Sequence, residues 1–295
     1  MLSLAGAGSA AEPPRVVASL PPLHGLAASV MEGIAEPQLL VRSGGSEHAY
    51  VLRPSDARAL AAADLVLWVG PGLESFLEKP LATLARPGAV LTLAELPGLA
   101  LLPRRTGEGW GGPEEEGEHK HAQGARDLHL WLDPENAITI IGAIAERLGD
   151  LNPERAAQYR ENADEAEARI ATLDRALEAQ LAAVHGVPFL VFHDGYQYFE
   201  RRYGLAAIGA VAIDPERPPG ARHLAELRQQ VRASGARCIF AEPQFKPDLV
   251  ETLRKGTELR AGTLDPLGAA LPLGPRHYEA LMRELANGLR GCLSS

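Results

Sequence analysis

The sequence has few cysteines, no excess of positive charge and no long apolar run. Among its 295 residues there are two cysteines, and the formal net charge is -9. This composition argues against a nucleic-acid partner, because a binding surface for phosphate needs a basic stripe. No apolar stretch reaches the roughly 20 residues of a transmembrane helix. The sequence also lacks an HExxH pattern and a nucleophile elbow, two common signatures of hydrolases.

The two cysteines, Cys238 and Cys292, allow two interpretations. In a cytosolic chain, two isolated cysteines are most often reduced core residues. In an oxidising compartment, a bridge between them would tie the C-terminal helix to a central strand. Closing a loop of that length would stabilise the protein by about 4 kcal/mol in the chain-entropy model. The sequence alone does not distinguish reduced cysteines from a disulfide, because the redox state of the compartment determines which of the two forms.

The first segment, 1–14, lacks the basic residues that usually begin a signal peptide. It does contain Gly8 and Ala10, the small residues of a signal-peptidase site, before the polar Glu12. A shortened signal peptide and a flexible start both fit this pattern. We interpret the segment as a residual signal or flexible start.

Short apolar runs alternate with helical patterns in both halves of the chain, which predicts βαβ units and parallel sheets. The predicted strands are short, rich in leucine or β-branched residues, and bounded by turn residues. They cover 15–19, 38–41, 64–69, 189–192, 206–212, 237–241 and 260–264. The predicted helices cover 22–32, 55–63, 196–203, 220–233, 247–255 and 275–289.

The strongest helical pattern lies between the two halves. Asn152 is a favourable N-cap, Pro153 suits the first helical position, and apolar residues then recur every three or four positions up to Val184. The predicted helix is about 50 Å long at 1.5 Å per residue. Such a helix would restrict hinge motion between the two halves of the protein.

We therefore predict an α/β fold with two lobes, each with a mostly parallel sheet flanked by helices, joined by one long rigid backbone helix. The predicted boundaries are an N-terminal lobe over 15–151, the linking helix over 152–186 and a C-terminal lobe over 187–295.

Segment 104–127 of the N-terminal lobe has almost no apolar residues, so it cannot bury enough surface to offset its ordering entropy. We predict a mobile acidic loop. His119 and His121 lie among its five glutamates. The loop is either a weak zinc-collecting site or simply solvated surface.

Three histidines lie in separate, strongly patterned segments. They are His48 in GGSEHAYVLRPSD, His129 in DLHLWLDPENA and His193 in VFHDGYQYFE. Each lies in a loop or at a strand end, where α/β sheets bind ligands. Neutral imidazole is the commonest zinc donor, so one shared site explains the three better than three coincidences. Glu47 could supply a fourth ligand.

Six segments of the chain together resemble those of a known protein family. GGSEHAYVLRPSD, ADLVLWVGPGLESFL, LHLWLDPENA, VFHDGYQYFE, FAEPQF and TLDPLG resemble, in order, segments of the periplasmic solute-binding proteins of zinc ABC importers, the ZnuA type of the cluster A-I metal receptors. The similarity extends from Val16 to Cys292. It is specific because the histidine-bearing segments match together with their flanks.

The resemblance implies two α/β lobes joined by a long rigid helix, with the metal between them. It assigns metal-ligand roles to His48, His129 and His193, and a fourth or gating position to Glu47. It also implies a disulfide between Cys238 and Cys292. The acidic loop before His129 is a feature of the group too, although here it is short and has few histidines.

The same resemblance implies a monomeric periplasmic receptor without enzymatic activity. It would capture Zn²⁺ with high affinity and deliver it to the membrane permease of an ABC transporter for uptake. A periplasmic zinc chaperone is a second candidate partner.

The choice of metal depends on His193. Manganese receptors of similar fold have a carboxylate at that position and use an aspartate at the position of Asp265. Three imidazoles form a softer, nitrogen-rich set that suits zinc, whereas oxygen donors suit manganese. Asp265 is then expected close behind the ligands or as an alternative fourth ligand. A receptor for manganese or another divalent metal is the first alternative.

Two further alternatives stay open. Three histidines and a water also form the site of a zinc hydrolase, with Glu47 as the base, but no second catalytic element accompanies them. A metal-binding surface adhesin is the other alternative, since similar folds occur in that role.

Overall fold

The computed structural model describes residues 12–42, 44–105, 126–212 and 219–294. Its architecture confirms the predicted two-lobe α/β fold, with one parallel sheet in each half of the chain. Among the described residues, no helix combines the length and apolar character that crossing a bilayer would require. The lobe boundaries given above stay predictions.

The N-terminal sheet has four parallel strands in the order β2-β1-β3-β4. The strands are β1 (Val16–Ala18), β2 (Gln38–Leu39), β3 (Leu65–Trp68) and β4 (Val90–Thr92). The helices of this half are α1 (Pro21–Val30), α2 (Pro54–Ala62), α3 (Glu78–Leu84) and α4 (Pro134–Leu151). The central strands β1 and β3 are buried throughout, which is why they are continuous apolar runs in the sequence.

Two of these elements lack a clear sequence pattern. Strand β4 lies at the edge of the sheet and its residues are only half-buried, so its sequence has no buried apolar run. Helix α3 has only seven residues, with a proline, Pro80, in its first turn, and it buries a single residue, Leu81. A short segment with one buried side chain has no helical periodicity to detect.

The connecting helix α5 (Ala156–Leu181) has 26 residues. At 1.5 Å per residue it is about 39 Å long. Short 3₁₀ turns precede and follow it, at Pro153–Arg155 and Ala182–Val184. The predicted apolar stripe is confirmed, because its residues are all buried: Tyr159, Ala163, Ala166, Ile170, Leu173, Leu177, Leu181 and Val184.

The predicted N-cap of this helix is wrong. The Asn152 side chain makes no capping hydrogen bond, and its backbone N–H donates to the Leu148 carbonyl, which ends α4. The 3₁₀ turn at Pro153 separates Asn152 from the first α-helical residue. The sequence pattern marks the start of the segment correctly but not its first turn.

The C-terminal sheet also has four parallel strands, in the order β6-β5-β7-β8. They are β5 (Pro188–His193), β6 (Ala206–Ala212), β7 (Cys238–Ala241) and β8 (Arg260–Thr263). The helices are α6 (Gln197–Tyr203), α7 (Ala221–Ser234), α8 (Asp248–Arg254) and α9 (His277–Leu293). A disulfide joins Cys238 in β7 to Cys292 in α9, as the family resemblance implied.

The two lobes share one hydrophobic core, which includes residues from α1, α4, α5 and α9. Polar contacts also cross between them. The Trp131 indole N–H donates to the Pro266 carbonyl at 2.8 Å, and the Tyr278 hydroxyl donates to the Trp131 carbonyl at 2.9 Å. These buried contacts fix the N-terminal end of α4 against the C-terminal lobe, close to His129.

Candidate metal site

Four side chains converge where the strand ends of the two lobes face each other. Glu47 and His48 lie in the loop between β2 and α2, His129 immediately precedes a 3₁₀ turn (Leu130–Leu132), and His193 is the last residue of β5. Their donor atoms all lie within 4.8 Å of one another. Among the described residues, no other group of histidine, cysteine and carboxylate side chains is brought together in this way.

The spacing of these atoms fits a single small cation. The Nε2 atoms of His129 and His193 are 3.2 Å apart. The Glu47 Oε1 atom is 3.4 Å from His193 Nε2, 3.6 Å from His129 Nε2 and 3.8 Å from His48 Nε2. Four atoms bound tetrahedrally to zinc at about 2.0–2.1 Å would be roughly 3.3–3.4 Å apart. The cluster therefore has nearly the dimensions of a zinc coordination shell.

A carboxylate behind each of two histidines sets the orientation of its ring. His129 Nδ1 lies 2.8 Å from Asp127 Oδ1, and His193 Nδ1 lies 2.7 Å from Glu242 Oε1. Because a carboxylate only accepts hydrogen bonds, Nδ1 is the donor in both rings. When the ring is neutral, each Nε2 then directs a lone pair toward the cluster, which is the tautomer that a metal ligand needs.

The two supporting carboxylates also bind backbone. Asp127 Oδ1 accepts from His129 N–H at 3.0 Å, and Glu242 Oε1 accepts from His193 N–H at 3.3 Å. Both carboxylates were missed in the sequence. Asp127 had a local signal, since it lies two residues before His129. Glu242 directly follows β7, so the topology of parallel strands could have placed it beside His193.

Glu47 is a buried carboxylate next to the imidazoles of the cluster. Its exposed fraction is 1%, and among the described residues neither of its oxygens has a hydrogen-bond partner. Burial alone would raise its pKa, but the imidazoles of His129 and His193 outweigh that effect and hold the Glu47 pKa well below 4.5. A buried anion of this kind requires a compensating positive charge.

The pKa values of the histidines reflect the same crowding. Burial lowers the pKa of His48 to about 3 despite the nearby Glu47 carboxylate. Burial also disfavours a charged His129, but Asp127 and Glu47 outweigh it and raise that pKa to about 9. The pKa of His193 is likewise raised well above 6.5, by Glu242 and Glu47 against burial. The carboxylates thus make this site favourable for positive charge, whether a proton or a metal ion.

The remaining predicted residues lie elsewhere. Asp265 is not in the cluster: its carboxylate accepts hydrogen bonds from Gln244 Nε2 at 2.7 Å and from two backbone N–H groups of its own turn. His119 and His121 lie outside the described residues. Asp194, the residue after His193, lies 3.4 Å from Arg105 and does not cap α6.

Three other histidines have hydrogen-bond partners in the structure. His24 contacts the Pro37 carbonyl, His223 contacts the Ala210 carbonyl, and His277 contacts two backbone carbonyls.

Comparisons with known proteins agree on one family. The family model for the zinc-uptake complex component A, periplasmic (ZnuA), matches residues 16–292. The high-affinity zinc uptake system protein ZnuA of Brucella suis is 42% identical over an alignment 319 residues long, gaps included, which covers 98% of this chain and 94% of that protein. The protein of the same description from Yersinia pestis is 37% identical and covers 94% and 91%.

Solved structures show the same fold. A crystal structure of ZnuA superimposes with a TM-score of 0.77 at 22% identity, covering 94% of this chain and 99% of that one. The laminin-binding protein Lbp of Streptococcus pyogenes gives a TM-score of 0.75 at 23% identity, covering 96% and 100%. At these identities, the likeness establishes the fold alone.

Proposed function

The chain belongs to the ZnuA family of zinc-uptake components, and on that premise we propose that it is a high-affinity periplasmic receptor for Zn²⁺. It binds one ion between its lobes and delivers it to the membrane permease of an ABC transporter for uptake. The convergence of three imidazole Nε2 atoms and one buried carboxylate oxygen is the observation that carries this proposal. The zinc-uptake descriptions of relatives up to 42% identical support it.

His48, His129, His193 and Glu47 are the proposed ligands. A neutral set of three imidazoles with one anion suits zinc, while manganese sites use more oxygen donors. Asp265 is proposed to act behind the ligands through Gln244 rather than as the fourth ligand, because its two oxygens already accept hydrogen bonds. The protein itself carries out no covalent chemistry on the metal.

Binding studies on single variants test the ligand set. Zinc titration by calorimetry, with a competing chelator, should give one tight site in the wild-type protein. His48→Ala, His129→Ala and His193→Ala should each weaken it strongly. His223→Ala is the matched control, since it removes a buried imidazole that is hydrogen-bonded to the Ala210 carbonyl and does not belong to the cluster. Unchanged affinity in all three ligand variants would overturn the assignment.

A second test separates the receptor from the alternatives. Manganese binding at least as tight as zinc binding would favour the manganese receptor. Hydrolysis of activated esters well above the rate of free zinc, abolished by His48→Ala, would favour the hydrolase. Among the structural neighbours is a Streptococcus agalactiae protein described as an adhesin with metal-transporting activity, so binding to laminin should be assayed as well. Zinc-dependent growth restored by the wild-type gene, but not by the His129→Ala variant, would support uptake.

The remaining proposals concern the rest of the chain. The oxidised pair Cys238 and Cys292 fits an exported protein with segment 1–14 as its residual signal. The lobes 15–151 and 187–295 are proposed to move little about the linking helix 152–186. The protein is proposed to be a monomer, with a zinc chaperone as a second partner; light scattering and mixing experiments test these two statements.

We also propose weak zinc binding at His119 and His121 in the acidic loop. Deletion of 107–125 should leave the tight site intact but remove additional weak binding. Unchanged total stoichiometry after the deletion would mean that the loop binds no zinc.

A further inference from the structure

Helix α6 begins shortly after His193 and contacts the segment that carries His129. The contact is made by Tyr198, which is 1% exposed. Its hydroxyl donates to the Asp127 carbonyl at 2.7 Å and accepts from Leu102 N–H at 3.0 Å. One side chain of the C-terminal lobe thus contacts the backbone both before and after the acidic loop.

Tyr198 does not contact a proposed ligand directly but acts on His129 through Asp127. The Asp127 side chain holds the His129 ring through Nδ1, so the position of the Asp127 backbone sets where His129 Nε2 lies. Tyr198 is also only five residues beyond His193, in helix α6, which follows strand β5 after a three-residue connection. Tyr198 therefore connects the support of one imidazole to the segment that carries the other.

A second contact holds the same segment against α6. The Arg105 guanidinium lies 2.9 Å from Glu200 Oε2 and 3.4 Å from Asp194 Oδ1. Glu200 is 6% exposed, and this ion pair is therefore only weakly screened by solvent. Two polar contacts, one through Tyr198 and one through Arg105, thus fix this edge of the N-terminal lobe to the C-terminal lobe.

We propose that Tyr198 is a positioning residue for the zinc site: its hydroxyl fixes Asp127 and with it the spacing of the His129 and His193 nitrogens across the two lobes. The inference rests on the proposed function, because it assumes that these nitrogens bind zinc. It goes beyond that function in assigning part of the affinity to a residue that does not touch the metal. The role is geometric, since no charge is added or removed by Tyr198.

Tyr198→Phe tests the proposal, because it removes the hydroxyl and keeps the ring. Loss of such supporting contacts typically costs 10- to 100-fold in metal affinity, and a contact one step further away should cost about tenfold. Tyr203→Phe is the matched control. Tyr203 lies on the same helix, is equally buried and donates to Asp174 Oδ1 at 3.0 Å, away from the metal site.

Three measurements on the full chain decide the outcome. Zinc affinity is measured by chelator competition, the geometry of the site by the visible absorption bands of the Co²⁺-loaded protein, and stability by thermal unfolding. We expect both variants to unfold at a lower temperature. Only Tyr198→Phe should lose zinc affinity and change the position or intensity of the Co²⁺ bands.

The possible failures are distinguishable. Wild-type affinity and an unchanged Co²⁺ spectrum in Tyr198→Phe would overturn the positioning role and leave the zinc receptor intact. Equal losses in Tyr198→Phe and Tyr203→Phe would mean that the effect is one of general stability, which also overturns it. A wild-type protein that binds no zinc would instead refute the proposed function on which the inference rests.

Discussion

Gly195 lies directly against the paired imidazoles, and replacing it with alanine should disrupt the metal site without unfolding the protein. A Cβ atom at this position would be 2.5 Å from His193 Nε2, 2.9 Å from His193 Cε1 and 3.3 Å from His129 Cδ2. Ordinary contact begins at 3.4 Å, so the His193 nitrogen would have to move by about 0.9 Å. The backbone itself tolerates alanine, because Gly195 is not among the glycines with positive φ.

The size of the effect follows from this displacement. A binding site must hold its ligands to within about 0.5 Å, so His193 would no longer reach an ion bound by the other three side chains. Losing a ligand should cost more than the roughly 100-fold that marks the upper end for supporting residues. We therefore expect zinc affinity to fall by more than about 100-fold in Gly195→Ala.

Chelator competition and thermal unfolding measure the two halves of this prediction. Gly142→Ala is the control, because its nearest neighbour beyond the helix would be Glu167 Oε1 at 3.8 Å and alanine favours the α4 helix by about 1 kcal/mol. It should bind zinc normally. A folded Gly195→Ala protein with zinc affinity within a few-fold of wild type would refute the view that His193 Nε2 holds the metal in this geometry.

Three further predictions concern other parts of the molecule. Asp127→Asn keeps the shape but replaces a charge-assisted hydrogen bond to His129 with a neutral one, so chelator competition should give about tenfold weaker zinc binding. Burial raises the pKa of Glu74 to about 7 from an ordinary value of 4.5. Between these two pH values the folded state retains a proton that the unfolded chain has released. The free energy of unfolding should therefore fall as pH rises from 4.5 to about 7, by at most about 3 kcal/mol. Urea denaturation of Glu74→Gln should not show this decline. Replacing both Cys238 and Cys292 with alanine should lower the free energy of unfolding by about 4 kcal/mol, measured by denaturation under oxidising conditions.

Each of these has a clear contrary result. Unchanged zinc affinity in Asp127→Asn would mean that the carboxylate does not support His129 in the bound state. A decline in stability that persists in Glu74→Gln would place its origin in other groups. Equal stability of the cysteine variant and the oxidised wild type would mean that the bridge contributes nothing to the folded state.

The sequence predicted most of the fold because its buried elements have strong patterns. The stripe from Tyr159 to Val184 is buried along its length, and the central strands are continuous apolar runs. The exceptions were β4 and α3, which bury little, α4, which is well buried but was given no predicted range, and the first turn of the linking helix, where Asn152 ends α4 rather than capping α5. Segments with little buried surface carry little pattern.

The site was predicted less completely than the fold. His48, His129 and His193 were found from their local segments, and the structure brings them together with Glu47. Glu242 could not be found in the same way, because it meets His193 only through the pairing of β5 with β7. Tyr198 was missed for a similar reason, since its partners Asp127 and Leu102 belong to the other lobe.

The ligand set is the central claim, and anomalous diffraction at the zinc edge from crystals of the zinc-loaded protein tests it most directly. We predict one strong peak between the lobes, bonded to the Nε2 atoms of His48, His129 and His193 and to a carboxylate oxygen of Glu47. The peak should also lie beside the edges of the His129 and His193 rings that face Gly195. A strong peak at any other group of side chains, or one bonded to fewer than two of these histidines, would contradict the account.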